Sequence, residues 1–437
     1  MAEIFNDESL AILGGTPCTA RPFQFNNSIG AEEKQAVMRV MENGELSGFV
    51  ASPGKPFWGG EEVRGLQSEF KSHFGVAHAL AFNSATSALH ASVSAMGIGP
   101  GDEVITSPYT MSATATAILM TGAVPIFADI ESDTFGLDPK SVQDRISANT
   151  KGILAVNIFG HAARLDELRE IADGADLFLV EDNSQAPNAI FKGEKTGTIG
   201  DAGIFSFNRH KVMQSGEGGV LVTNDEKIAL KAALLRNHGE CVVEAMGVED
   251  IVNTVGLNYR MTELEAAIAR EQFRKLPALN DARIRLANRL SAGLSEIDAI
   301  TPPHVSENSV HVYYMYCMRY DAKIAGIPRN LFVKAVESEG FFLRAGYIKP
   351  VYLEPVFQEK ICFGAGGFPF SANARNDELD YSPGLCPTCE RLQDEELMMT
   401  PIIQPPQTER DIDLFVEACK KVLRHKDGLL SAEIQID

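Results

Sequence analysis

One segment, FSFNRHKVMQSGEGG from Phe205 to Gly219, carries Lys211 into a tight glycine-rich turn. A lysine amine attacks carbonyls once it is held in neutral form. The glycines equally suit a loop that cradles phosphate or a plain strand-to-turn junction. Two further stretches hold polar groups that could share a site. NSATSALH, Asn83 to His90, puts small and hydroxyl-bearing residues at a strand-to-helix junction. The free N–H groups and macrodipole at a helix start favour an anion there, and a Ser/Thr cap without a ligand accounts for the same residues. FLVEDNSQAP, Phe178 to Pro187, ends an apolar run on Glu181 and Asp182, with Gln185 just beyond. A carboxylate in that position serves a site or caps a turn.

The elements that would position these groups alternate in type. HALAF, EVITS, VPIFADI, GILAVNI, DLFLVED, GIFSF and GVLVTND read as strands. Between them SATSALHASVSAMG, SATATAILMTGA and RLDELREIA carry helical periodicity. Such alternation predicts an α/β fold with a mostly parallel sheet, whose ligands sit outside the carboxyl ends of the strands. Residues 260–292, with Met261, Leu264, Ala267 and Ile268 on one stripe, predict a long helix. Beyond it VHVYYMYCMRY reads as a core strand, RNLFVKAVESEG and ERDIDLFVEACKKVLR as helices, and 363–387 as an irregular Gly/Pro-rich stretch. The expected division is a large domain with its N-terminal arm over 1–275 and a smaller α+β domain over 276–437.

Composition narrows the function classes. The chain has 437 residues, 45% of them hydrophobic, and a formal charge of −20. That charge argues against nucleic acid, which demands a basic footprint, and leaves room for a small phosphorylated ligand. No charged leader with an apolar core opens the sequence, and no apolar run reaches the roughly 20 residues of a membrane helix, so a cytoplasmic protein is expected. Seven scattered cysteines fit reduced thiols. Cys386 and Cys389 form a C-x-x-C without a second ligand pair, and no metal is expected.

Taken together, SFNRHKVMQSGEGG, NSATSAL, GPGDEVI, VEDNSQA and GLNYRMTELEAAIAREQ resemble, in order and spacing, the DegT–StrS group of aminotransferases. The likeness runs from about Leu10 to Leu276 and more loosely beyond. It implies a fold-type I, aspartate aminotransferase-like enzyme that uses pyridoxal 5'-phosphate. It assigns Lys211 the Schiff base and the proton shuttle, Asp182 the pyridine nitrogen, and Gln185 the phenolic oxygen. Ala85, Thr86 and Ser206 would hold the phosphate, and Asn258 would reach it from the partner subunit of a homodimer. His161, Arg260 and Tyr347 are candidates for substrate contact.

Two features depart from the group's pattern. Met111 occupies the position that generally holds a ring stacked on the cofactor; its thioether can pack on an aromatic face, or Tyr109 can take over. The insertion FGAGGFPFSANARNDELDYSPG has no counterpart. Related dehydratases carry histidine where Lys211 stands, and counting from Ser206 and from Gly216 puts Lys211, not His210, at that position. Transamination is therefore expected over dehydration, and the resemblance implies ping-pong transfer of an amino group, through pyridoxamine phosphate, from glutamate or glutamine to a nucleotide-linked keto-sugar. The alternatives are a keto-cyclitol acceptor, a keto-sugar dehydratase, and a non-catalytic regulator of the same fold.

Overall fold

The computed structural model describes residues 9–432. Its central sheet holds β1 (His78–Phe82), β2 (Glu103–Thr106), β3 (Val124–Phe127), β4 (Thr150–Val156) and β5 (Phe178–Asp182). A small hairpin of β6 (Ile190–Phe191) and β7 (Glu194–Lys195) follows. β8 (Ala202–Ser206) and β9 (Gly219–Thr223) complete the sheet, in the order β1-β9-β8-β5-β4-β2-β3. Pairing is parallel from β3 through β8, and β9 runs antiparallel to both its neighbours. The carboxyl ends of six strands therefore lie along one edge, together with the amino end of β9. Asp182 and Ser206 end their strands on that edge, Gly219 pairs with both Phe82 and Ser206, and Asn83 follows directly after β1.

The helix Ala85–Ala95 is buried from Ser87 onward, because its alanines and serines allow close packing between the sheet and the helix Glu226–Arg236. The helix Glu263–Leu294 starts in a capping box between Thr262 and Glu265 and runs for 32 residues through Pro277. Its first half packs Phe273 and Leu276 into the large lobe, and its second half packs Leu286, Leu290 and Leu294 into the small one. It thus runs through the expected division at 275/276. The small lobe is an antiparallel sheet of β10 (Ile300–Thr301), β11 (Tyr316–Tyr320), β12 (Arg344–Ala345) and β13 (Leu397–Thr400). Leu10 lies in its core, and Ala11 N and Cys18 N donate to the buried Glu339 carboxylate at 2.9 and 3.0 Å. The stretch from Leu10 to Cys18 is thereby fastened to the small lobe.

The VHVYYMYCMRY segment differs from its sequence reading, since the strand begins only at Tyr316, after an isolated bridge between Val310 and Ile190. Val312 N donates to Gly160 O at 2.9 Å and Met315 N to Phe159 O at 3.3 Å, so the first half of the segment is bonded to the large lobe instead. Tyr313 takes φ 50° to make that turn. Tyr313 and Tyr316 are core residues, whereas Tyr314 is only half-buried.

The insertion at 363–384 closes the β3 edge of the sheet. Phe370, Leu379 and Tyr381 pack around Phe127, Tyr381 Oη donates to Pro125 O at 2.9 Å, and Arg375 pairs with Glu103 at 3.1 Å. Covering an edge strand in this way removes a site for aberrant strand pairing. Just beyond, Cys386 and Cys389 are buried and burial pushes both thiols up. Among the described residues no group of three or more His, Cys, Asp or Glu could hold a metal, and no helix is long and apolar enough to cross a membrane.

Alternation along β5 sends its last two residues to opposite faces. Glu181 is fully buried and accepts from Gly197 N (2.6 Å), Ile199 N (2.7 Å), Gly200 N (2.8 Å) and Asn157 Nδ2 (3.0 Å). Burial raises its pKa and these donors oppose the rise. The carboxylate thus pins the loop that leads into β8. Glu181→Gln replaces one acceptor oxygen by an NH2 facing N–H donors and is expected to cost about 1–3 kcal/mol. Denaturant unfolding at neutral pH checks this, and an unchanged midpoint contradicts it.

Candidate active site

The lysine turn is held by its own backbone. Phe207 N donates to Gly218 O, Ser215 N to Phe207 O (both 2.9 Å), Arg209 N to Gly216 O (3.0 Å) and Lys211 N to Asn208 O (2.8 Å). Gly218, at φ 138°, takes a backbone conformation that other residues rarely adopt, and a Cβ there would press on the Met261 methyl at 2.5 Å. The turn projects Lys211 so that its Nζ lies 4.7 Å from the centroid of the Tyr314 ring. Burial pulls the amine down to about 8 from the ordinary lysine value of 10.5, and the negative charge of Asp182 pushes it back up.

Asp182 is itself buried. Its Oδ2 accepts from Thr114 Oγ1 at 3.0 Å, and Thr114 in turn bonds Thr110 Oγ1 at 3.1 Å. Its Oδ1 accepts from Ser184 N at 3.2 Å. Gln185 is buried beside it, with Oε1 accepting from Phe159 N at 2.9 Å and Nε2 reaching Tyr347 Oη at 3.4 Å. The amide orientation is thereby set, with the NH2 turned towards Tyr347.

A third group of donors gathers where β1 gives way to its helix. Ser84 caps that helix by accepting from Ser87 N at 3.1 Å, and the first intrahelical bond runs from Ala88 N to Ser84 O. The N–H groups of Ala85 and Thr86 precede it, so the helix itself supplies them no acceptor. Gly219 lies directly beneath, where a Cβ would stand 2.6 Å from Ala85 N. Ser206 is buried next to Gly219 through the strand pairing, its Oγ accepting only a long 3.3 Å bond from Asn208 N.

The other residues singled out in the sequence are placed as follows. Met111 is 52% exposed, whereas Tyr109 is fully buried between Phe159 and Tyr347 with its hydroxyl donating to Gln393 at 2.8 Å. Of the two, only Met111 has a free surface to present. His161 is buried and uses both ring nitrogens on backbone: Nδ1 donates to Ala162 O (2.7 Å), and Nε2 accepts from Ser306 N (3.1 Å). Burial holds it below the ordinary histidine value. Arg260 Nε donates to Asn237 Oδ1 at 2.8 Å, and Asn258 is exposed on the same stretch, bridged to Asn237. Tyr347 packs edge-on against Phe159 and Tyr109 with its hydroxyl toward Gln185. Two residues of this region escaped the sequence reading. Tyr314 sits in a tyrosine run that looks like core strand, and Thr114 lies within a helix whose composition is ordinary.

The chain matches the DegT/DnrJ/EryC1/StrS aminotransferase family over residues 28–397. It belongs to that family. Family members are pyridoxal phosphate-dependent aminotransferases. An L-glutamine:2-deoxy-scyllo-inosose aminotransferase of Streptoalloteichus tenebrarius is 32% identical over 96% of this chain and 99% of its own length. GDP-perosamine synthase of Caulobacter vibrioides is 34% identical over 67% of this chain and 77% of its own. Among solved structures, an aminotransferase from Psychrobacter cryohalolentis superposes with a TM-score of 0.80 at 27% identity, covering 92% of this chain and 99% of that one. The family and fold expected from the sequence are those found.

The depressed amine has a consequence for stability. Between about 8 and 10.5 the unfolded chain binds the lysine proton and the folded chain does not, so Lys211 contributes stability that rises with pH across that window. Below about 8 the amine is charged in both states and its desolvation penalty is constant. Lys211→Met is therefore expected to stabilise the cofactor-free protein most below pH 8, with an advantage that shrinks towards pH 10.5. Melting curves of the two proteins across that range check the sign; a gap that widens with pH contradicts it.

Proposed function

We propose that this protein transfers an amino group from glutamate or glutamine to the ketone of a nucleotide-linked keto-sugar, at a site built on Lys211. The observation that carries the reading is where that amine sits, facing the Tyr314 ring and within the field of Asp182, in surroundings that pull it down to about 8. A lysine so poised is partly neutral near physiological pH and can take and return a proton.

The donor set suits pyridoxal phosphate. The unclaimed N–H groups of Ala85 and Thr86, above a Gly219 that leaves no room for a Cβ, form an anion cradle that the Ser206 hydroxyl completes. Asp182 offers a negative charge that would keep a proton on the ring nitrogen, and Thr114 orients it. The Gln185 NH2 would donate to the phenolic oxygen. When bound, the cofactor supplies an electron sink for the carbon that bears the substrate amine. Lys211 moves the proton at that carbon, with the Tyr314 ring facing its amine. Met111 would pack on the ring. His161 holds the loop around Ser306 rather than offering a free nitrogen, so Arg260 and Tyr347 are the better candidates for substrate contact.

The exposed Asn258 shares its loop with Ile251, Val252 and Val255, which are 61%, 57% and 79% exposed. Apolar residues clustered so openly are suited to cover by a second copy. A homodimer would also bring Asn258 to the partner's phosphate cradle.

A keto-cyclitol acceptor is the second reading. Its support is the inosose aminotransferase, whose likeness spans nearly the whole of both chains. Purified protein given glutamate or glutamine and a panel of nucleotide-linked keto-sugars and inososes separates the two. Amino transfer to a nucleotide-linked acceptor is expected, and Lys211→Ala should lower it by about 10²–10⁴-fold or more. A Lys211→Ala protein as active as the parent contradicts the reading, and transfer to inososes alone selects the cyclitol.

A further inference from the structure

In a chain of charge −20, one cleft next to Lys211 is lined by cations without any acid. It holds about 410 Å³ and opens to solvent. Arg209, Lys211 and Arg283 contribute to its wall, and Gln214 and Asn26 add amide donors. Ligand sites of small organic molecules run to about 300–1,000 Å³, so the space suits a substrate rather than a lone ion.

Arg283 is buried, and its partners are all neutral. Nη1 donates to the carbonyls of Tyr313 (3.2 Å) and Tyr314 (3.3 Å), and Nη2 donates to Gln404 Oε1 (3.0 Å). Among the described residues it forms no ion pair. Burial lowers it to about 10, which leaves it charged at neutral pH. A buried guanidinium with only neutral partners carries a desolvation cost that an incoming anion offsets. Arg209 is exposed at the mouth, two positions before Lys211, and its Nε donates to His210 Nε2 at 3.2 Å. Among the described residues its terminal nitrogens bond nothing, so they are free to grip a carboxylate or phosphate in bidentate fashion.

We propose that this cleft receives the anionic end of a substrate, gripped by Arg209 and drawn in by the field of Arg283, while the reacting carbon lies at Lys211. The proposal rests on the reading of Lys211 given above. Two sources carry such a group: the carboxylates of the amino donor and the diphosphate of a nucleotide-linked acceptor. A neutral cyclitol carries none.

Calorimetric titration of the cofactor-loaded protein with glutarate, and separately with UDP, GDP and dTDP, tests it. Arg209→Ala is expected to weaken one class of probe by about 10- to 100-fold, in line with a charge-assisted hydrogen bond. Arg209→Lys should restore part of the loss. A loss confined to glutarate assigns the cleft to the donor, and one confined to the nucleotides assigns it to the acceptor. Equal binding by parent and Arg209→Ala for every probe overturns the proposal. Probe binding that depends on Arg209 in a protein that transfers no amino group would sink the functional reading and leave the cleft standing. Amino transfer with probe binding indifferent to Arg209 would do the opposite.

Discussion

A partly desolvated lysine amine at the wall of an open cleft, in the field of a carboxylate that does not bond it, is the constraint around which this molecule is arranged. Desolvation alone would leave the amine neutral and a poor keeper of the proton it must carry, and a direct ion pair would lock it in the charged form. The structure takes the middle course. Asp182 acts through space while spending its hydrogen bonds on Thr114 and Ser184, and the Tyr314 ring faces the ammonium. Thr114, Asp182, Lys211 and Tyr314 come from four different parts of the chain, so the amine's state depends on the whole fold.

The sheet brings most of them together. With six strands ending on one edge and β9 starting there, Asp182, Ser206, Gly219 and the Asn83–Thr86 junction become neighbours without long connections. Tyr314 comes from elsewhere. The segment before β11 leaves the small lobe's sheet, bonds to Phe159 and Gly160, and so delivers its tyrosine to the large lobe's lysine. A close backbone approach makes this possible, since a Cβ on Gly160 would stand 2.6 Å from Tyr314 N. Phe159 also donates its N–H to Gln185, so one short turn fixes both the amide beside Asp182 and the ring over Lys211.

Much of this was legible in the amino-acid sequence, and for identifiable reasons. Strands such as HALAF and FLVED announce themselves because they are buried on both faces and bounded by polar residues, and their ends locate Asp182 and Asn83. The long helix from Glu263 is written in its capping box and apolar stripe. Sequence pattern was weakest where tertiary contacts overrode local preference. VHVYYMY has every mark of a strand, yet bonding to Gly160 breaks it, which is why Tyr314 read as core. Thr114 was hidden because a threonine in a helix is unremarkable until a carboxylate is found opposite it. Glu181 and Asp182 look equivalent in sequence, and only the β5 pleat makes one a structural pin and the other a partner of the site. The insertion gave no functional signal, and its aromatic residues close the β3 edge.

On the proposed function, one lysine among all those in the chain binds the cofactor covalently. Borohydride reduction of the cofactor-loaded protein, followed by digestion and peptide mass mapping, addresses it directly. The cofactor's mass is expected on the peptide bearing Lys211 and on no other. Cofactor fixed to a different lysine, or a protein saturated with cofactor that reduction leaves unlabelled, would contradict it.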